Sequence, residues 1–531
     1  MTDTSKPEAD QPSGLLKSSA VVGSATMLSR VLGLLRDIVL ASFVGASANA
    51  DAFFVAFKIP NFLRRLFAEG AFSQAFVPVL ADYKEQGSVA AVRALIDRVA
   101  GVLGTTLVLL TGLAIVASPW VAALFAPGFV SQPEKYQLTA DLIKVTFPYL
   151  LLISMTGLCG AILNSYGRFA VPALTPIFLN LSLIGAALFA APYFNEPVFA
   201  LAWGVFAAGV IQLLFQLPSL YRLELVPRPI WDTRHEGVMR ILKLMVPALF
   251  GVSVSQLNLL LDTVLASFLP TGSVSWLYYS DRLTELPLGV FGIAIATVIL
   301  PSLSAQNSAD NARQFSLTID WAVRMILLIA LPAAIALIVL AEPILITLFQ
   351  YGALTPADVS MSALSLRAYS LGLLAFMLIK VLAPGYYARK DMVTPVRIGI
   401  TAMVSNMVLN VIFVLPLMTL YGIGHVGLAL ATSVAAFINA GLLARGLLRG
   451  GVFAFQPGAG RFLLQVSLAT VVMAAVITWL LPASTVWLDW LWYQRAFWLG
   501  GLCGLGVCLY AAMLLVLGLR PSQLRGPRAL A

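Results

Sequence analysis

Stretches of about twenty mostly apolar residues recur along nearly the whole chain, and a run of that length and character is what a helix needs to cross the hydrocarbon of a bilayer. Separated by Pro, Gly and charge clusters, they fall at 18–43, 52–81, 99–118, 141–165, 171–190, 198–217, 244–268, 275–301, 319–341, 361–386, 398–414, 426–443, 463–480 and 496–519. The expected fold is an all-α integral membrane protein of about 14 transmembrane helices. Only 11% of the 531 residues are charged, against roughly 25% in soluble domains, so most side chains must face lipid or one another. The net charge of +9 is scattered between apolar runs rather than gathered on a basic domain, which argues against nucleic acid as a partner. Cys159, Cys503 and Cys508 lie in apolar stretches without metal-ligand or disulfide spacing, and His235 and His425 are far apart. No His/Cys metal centre and no organic cofactor is expected.

The loops orient the chain. With the N-terminus placed in the cytoplasm, the cytoplasmic segments hold 21 Lys or Arg and the opposite segments hold only Lys135 and Arg495. One missed helix would scramble that alternation, so the asymmetry supports both the helix count and cytoplasmic termini. Residues 1–14 are polar and lack the basic start and short apolar core of a cleavable signal; they read as a disordered cytoplasmic tail, and 520–531 as a second tail. The most basic link, 222–243, joins two halves: an N-lobe at 15–221 and a C-lobe at 244–449.

The halves repeat. DIVLASF at 37–43 matches DTVLASF at 262–268, PWVAALFAPG at 119–128 parallels EPILITLFQYG at 342–352, and Tyr166-Gly-Arg168 before Pro172 parallels Tyr387-Ala-Arg389 before Pro395. The matches run in order at nearly constant offset, which shared composition would not preserve. Six helices per repeat return the chain to the same side, so the halves should be related by a pseudo-two-fold axis along the membrane normal. The helices within 450–519 lie outside the repeat.

Ionisable groups inside spans are costly, about 2.5–3.5 kcal/mol each near the centre on insertion scales. Here they concentrate on the first two helices of each repeat: Arg30, Arg36, Asp37, Asp51, Lys58, Arg64, Arg65 and Glu69 in one, Asp262, Asp281, Arg282 and Glu285 in the other. A water-filled cavity lined by these helices is the simplest resolution. Asp37, Asp51 and Asp262 fall at outer helix ends while Arg30, Arg64 and Arg65 lie deep, so the inner cavity should be positive. Arginine's planar fork suits phosphate oxygens, and a diphosphate fits well. Structural ion pairing with Asp37, Asp51, Glu69 and Glu285 is the competing account, most plainly for Arg36 beside Asp37. Pro60 and Pro287 interrupt the second and eighth helices, and the carbonyl a proline frees is tolerated where water or a ligand reaches it.

Asn406 and Asn410 share one face of the eleventh helix. With Asp262 on the seventh and Thr432 on the twelfth they form a set of oxygens suited to a hard cation such as Na⁺. Interhelical hydrogen bonding is the usual work of such side chains in membranes, and it accounts for them equally well on chemistry alone.

The run SRVLGLLRDIVLASFVGASANADAFFVAFKIPNFLRRLFAEGAFSQAFVPVLADYK at 29–84 closely resembles the MurJ (MviN) family of lipid II flippases, within the MOP exporter superfamily. The likeness continues through FPYLLLIS (147–154), GSVSWLYYSDRLTELPLGV (272–290), LFQYG (348–352) and KVLAPGYYAR (380–389), and is weakest after about 450. The resemblance implies a transporter, not an enzyme, in the bacterial inner membrane. Its substrate would be the undecaprenyl-diphosphate-linked disaccharide-pentapeptide, and its other partners membrane lipids and the cell-wall synthesis machinery. Arg30, Arg36, Arg64 and Arg282 resemble the family's cavity arginines, and Asp37, Asp51 and Glu285 its important acidic positions. The added helices at 463–519 would form a groove for the lipid tail. Some members bind Na⁺ at the place of Asp262, with an acid where this chain has Asn410. The alternative within transport is a related exporter of another polyprenyl-linked glycan or of drugs.

Overall fold

The computed structural model describes residues 12–306 and 311–520, with 524 and 526, and omits the side chains of 12–20, 67–70, 250–255, 293, 296 and 297. The expected terminal tails therefore lie almost wholly outside the described residues, although the first helix already begins at Pro12, a position where a missing N–H costs nothing. Among the described residues there is no strand.

Among the described residues twenty α-helices follow one another. α1 (Pro12–Val44), α2 (Ala48–Leu63), α3 (Ser73–Glu85), α4 (Val89–Val116), α5 (Ser118–Phe125), α6 (Pro133–Thr146), α7 (Tyr149–Ser165), α8 (Ala170–Gly185) and α9 (Val198–Arg222) precede the linker. α10 (Glu236–Ala266), α11 (Ser273–Pro287), α12 (Ile293–Ala305), α13 (Ala312–Val339), α14 (Ala341–Phe349), α15 (Pro356–Tyr387), α16 (Val393–Tyr421) and α17 (Gly424–Arg449) repeat the pattern. α18 (Ala459–Leu480), α19 (Ser484–Asp489) and α20 (Trp492–Val516) complete it. Ten of the fourteen expected spans are both long and apolar enough to cross a membrane among the described residues. The other four are α1, α2 with α3, α10, and α11 with α12, the first two of each repeat, where the charges sit. α2 and α3 are joined by a π-helical stretch at Arg64–Phe72, and α11 and α12 by another at Leu288–Gly292. Both follow the interrupting prolines within a few residues, and π segments gather at functional places.

The chain divides into two compact units, Met1–Leu40 with Ala52–Gln256 and Ala41–Asp51 with Leu257–Ala531. The last turn of α1 thus belongs to the second unit and nearly the first six turns of α10 to the first. In the first unit, Phe76 and Leu80 of α3, Leu95 and Ile96 of α4, Leu158 and Ile162 of α7 and Leu220 of α9 form a core that also takes in Val238 and Ile241 of α10. In the second, Ile319 and Ile326 of α13, Leu373 and Val381 of α15, and Leu443 and Leu447 of α17 do the same. Phe462, Val466 and Leu514 dock the last long helices against Leu327 and Leu331 of α13.

The linker is clamped to α4. The Arg228 N–H donates to Asp97 Oδ1 at 2.7 Å, the Ile230 N–H to the Asp97 carbonyl at 3.0 Å, and Arg98 Nε to Asp232 Oδ2 at 2.9 Å. That guanidinium holds the Asp232 carboxyl below its usual range. Gly101 makes the approach possible, because a Cβ there would lie 2.1 Å from the Ile230 carbonyl oxygen. Gly101→Ala should pry the linker off α4 at about 1–3 kcal/mol, the usual cost of overpacking. A lower thermal midpoint together with faster tryptic cleavage after Arg234 would show it; unchanged cleavage would refute the clamp.

Candidate functional site

In the first unit, Arg36 and Asp37 are consecutive on α1 and both buried, at 7% and 2% exposure. Arg36 Nε and Nη2 donate to Asp37 Oδ1 at 2.9 and 2.7 Å, and Nη1 donates to Asn180 Oδ1 of α8 at 3.0 Å. The Asn180 amide nitrogen turns the other way, donating to the Ser29 carbonyl at 3.0 Å. Arg30 is half-buried and has no hydrogen-bond or ion-pair partner among the described residues. Arg64 and Arg65 open the π segment, the first half-buried and the second exposed. The Glu69 side chain lies outside the described residues. The carbonyl freed by Pro60 does not wait for water or a ligand: Thr146 Oγ1 of α6 donates to the Ala56 oxygen at 3.1 Å. One acceptor position of that carbonyl is thereby satisfied within the protein, as in an ordinary proline kink.

In the second unit, Asp51 caps α11. Its Oδ2 accepts from the Gly272 N–H at 2.8 Å, and its Oδ1 from the Ser275 N–H at 3.0 Å and hydroxyl at 2.7 Å. A carboxylate suits the donor-rich, positive end of a helix. Gly272 takes φ +99° to aim its N–H, a conformation that L side chains resist. Tyr279 Oη donates to the Gly45 carbonyl at 2.8 Å, so α11 holds residues 41–51 at two points. Further along, Arg282 Nη1 donates to Glu285 Oε2 at 2.8 Å, one turn on, and the guanidinium stacks 4.9 Å from the Tyr278 ring centroid. Arg282 keeps 30% of its side chain exposed.

Asp262, Asn406, Asn410 and Thr432 do meet. Asp262 Oδ1 accepts from Asn406 Nδ2 and Asn410 Nδ2, both at 3.1 Å, and Oδ2 from Thr432 Oγ1 at 3.3 Å. Asn406 Nδ2 also donates to Asn258 Oδ1 at 2.9 Å. Both asparagines are buried, and their Oδ1 atoms have no hydrogen-bond partner. Sequence reasoning missed Asn180 and Asn258. Asn258 lies four residues before Asp262, on the same helix face, and Asn180 stands on the helix of the first repeat that matches α16, so both carried a signal. Among the described residues, no three His, Cys, Asp or Glu side chains gather as a metal cluster.

The family model for lipid II flippase MurJ matches residues 40–493. A probable lipid II flippase MurJ of Vibrio cholerae is 51% identical over 518 residues, covering 96% of this chain and 98% of the relative. The lipid II flippase MurJ of Burkholderia cenocepacia is 42% identical, covering 96% and 99%. A solved lipid II flippase MurJ in an inward closed conformation aligns with a TM-score of 0.79 at 27% identity, over 94% of this chain and 98% of that one. An inward-facing MATE transporter of the MOP superfamily aligns at 0.62 with 16% identity, over 81% and 97%, a likeness of fold alone.

Proposed function

Because the chain belongs to the lipid II flippase MurJ family, we propose that it moves lipid II from the inner to the outer leaflet of the bacterial inner membrane by alternating access. It is a multi-pass inner-membrane transporter, not an enzyme. Arg30, Arg64 and Arg282 bind the diphosphate oxygens, and Arg36, whose guanidinium donates to Asp37 and Asn180, adds its positive charge to theirs. Asp37, Asp51, Glu69 and Glu285 act as gating and charge partners, and the groove of α18 and α20 takes the undecaprenyl tail. Both termini face the cytoplasm, as the distribution of Lys and Arg requires. The cell-wall synthesis machinery that consumes the exported precursor is the expected protein partner. The observation that carries the binding role is Arg30, a half-buried guanidinium without a described partner on a helix that should lie in hydrocarbon. Such a group persists where a ligand or water meets it.

Na⁺ at Asp262 supplies the coupling ion. The residues fit one: rotating the two asparagine amides, whose nitrogen and oxygen ends are interchangeable in shape, would turn the unpartnered Oδ1 atoms of Asn406 and Asn410 toward the carboxylate. A carboxylate, two amide oxygens and a hydroxyl then face one point. The membrane potential adds about 2.3 kcal/mol per charge per 100 mV.

Sealed vesicles holding the purified chain and labelled lipid II test this reading, with Na⁺, pH and potential varied separately. Label should reach the opposite face only where the chain is present, and faster with a Na⁺ gradient. Rates no higher than those of empty vesicles would end the flippase reading. Rates indifferent to Na⁺ but sensitive to potential would end only the sodium one.

A further inference from the structure

Asp37 and Asp262 occupy the same place in the repeated segments DIVLASF and DTVLASF. Asp262 accepts directly from Asn406 of α16, and Asp37 is joined through Arg36 to Asn180 of α8, the matching helix of its own unit. The residue one helical turn before each aspartate confirms the correspondence. In the second unit it is Asn258, bonded to Asn406 at 2.9 Å. In the first it is Gly33, and a Cβ there would sit 3.8 Å from Asn180. The two clusters are copies of one frame.

They differ in what sits beside the aspartate. Arg36 precedes Asp37, whereas Leu261 precedes Asp262. In the first unit the guanidinium lies between carboxylate and amide, taking Asp37 Oδ1 on one side and Asn180 Oδ1 on the other. The asparagine shows its oxygen to the cation and its nitrogen to a backbone carbonyl. In the second unit the amides are reversed, with nitrogens toward the carboxylate and oxygens buried without a hydrogen-bond partner. An amide beside a carboxylate points its oxygen inward only when a cation sits between them, since two oxygens otherwise repel.

We propose that Arg36 is a tethered cation. It permanently fills, in the first unit, the place that a free monovalent cation takes in the second, and so confines ion binding to a single site per chain. The assignment of Arg36 stands on the first unit's geometry; the confinement to one site rests on the sodium reading of Asp262.

Binding of radioactive Na⁺ to the purified full-length chain separates the two. The wild type should bind one ion and Asp262→Ala none. Arg36→Leu combined with Asp262→Ala should regain one, because the vacated frame offers Asp37 and Asn180 Oδ1, and Asp37→Ala added to that pair should abolish it. A monodisperse double variant that binds no Na⁺ would overturn the proposal. If the wild type binds none while the double variant binds one, the Arg36 assignment stands and the sodium reading of the second unit falls. Should Arg36→Leu fail to fold with Na⁺ or with choline, Leu261→Arg decides. It places a guanidinium beside Asp262 and should eliminate the wild-type ion, so retention of that ion would overturn the proposal, as would absence of binding in every protein.

Discussion

Replacing Arg282 by alanine should abolish rescue of cells depleted of their own flippase while leaving the protein in the membrane at normal abundance. The guanidinium is paired with Glu285 at 2.8 Å, yet nearly a third of the side chain is exposed, so a phosphate oxygen can still approach it. A charge-assisted hydrogen bond to a phosphate oxygen is worth about 1.5–3 kcal/mol, and losing one should weaken diphosphate binding by roughly ten- to a hundredfold. Removal also strands Glu285 as an unbalanced negative charge near an anionic ligand, which pushes the loss further in the same direction. Arg282→Lys keeps the charge but not the fork, and should export at an intermediate rate. Complementation by Arg282→Ala at wild-type abundance and growth rate would sink the assignment. Glu285→Gln separates the two contributions, since it releases the guanidinium without removing it and should weaken export far less than the arginine change.

The second large effect belongs to Asp51. Its carboxylate takes two backbone N–H groups and one hydroxyl at the start of α11, and is 1% exposed. Truncation to alanine leaves two buried N–H donors unsatisfied, at about 1–3 kcal/mol each, and removes a negative charge from the positive end of a helix. A total of roughly 3–5 kcal/mol is expected, a large part of what holds most folds together. Asp51→Ala should therefore lower the thermal midpoint in detergent by many degrees. Asp51→Asn, which keeps an acceptor but not the charge, should fall between the two. A midpoint for Asp51→Ala within a degree of wild type would contradict the capping role. Export measured on Asp51→Asn then addresses the gating proposal separately: a folded variant that transports at the wild-type rate would reduce Asp51 to a structural cap.

Much of this architecture was written in hydropathy and spacing. Helix positions followed from runs of apolar residues, because a bilayer leaves the backbone no partner but itself and the length of each run is set by membrane thickness. The duplication followed from short matches in order, and the concentration of charge on four of fourteen segments followed from counting. Two of the three π stretches among the described residues follow the interrupting prolines Pro60 and Pro287, whereas the third, Ala186–Ala190, lies in an uncharged run that no such signal marked. What counting missed was pairing. Arg36 was legible as a neighbour of Asp37, but not as a bridge to Asn180, 144 residues away. Pro60 read as an open point in α2 until Thr146 was found on its orphaned carbonyl.

The division has a physical cause. Solvent is an average property of a segment, so one-dimensional sums of transfer free energy determine which segments cross a membrane and which loops stay behind. A buried polar group is satisfied by one or two specific atoms at about 3 Å, and those atoms come from whichever helix packing brings near. Hence the amino-acid order alone settled fold class, repeat and family for this chain. Only the packed helices decided that Asp51 caps α11, that Arg282 leans on Glu285, and that two copies of one aspartate–asparagine frame carry opposite amide orientations.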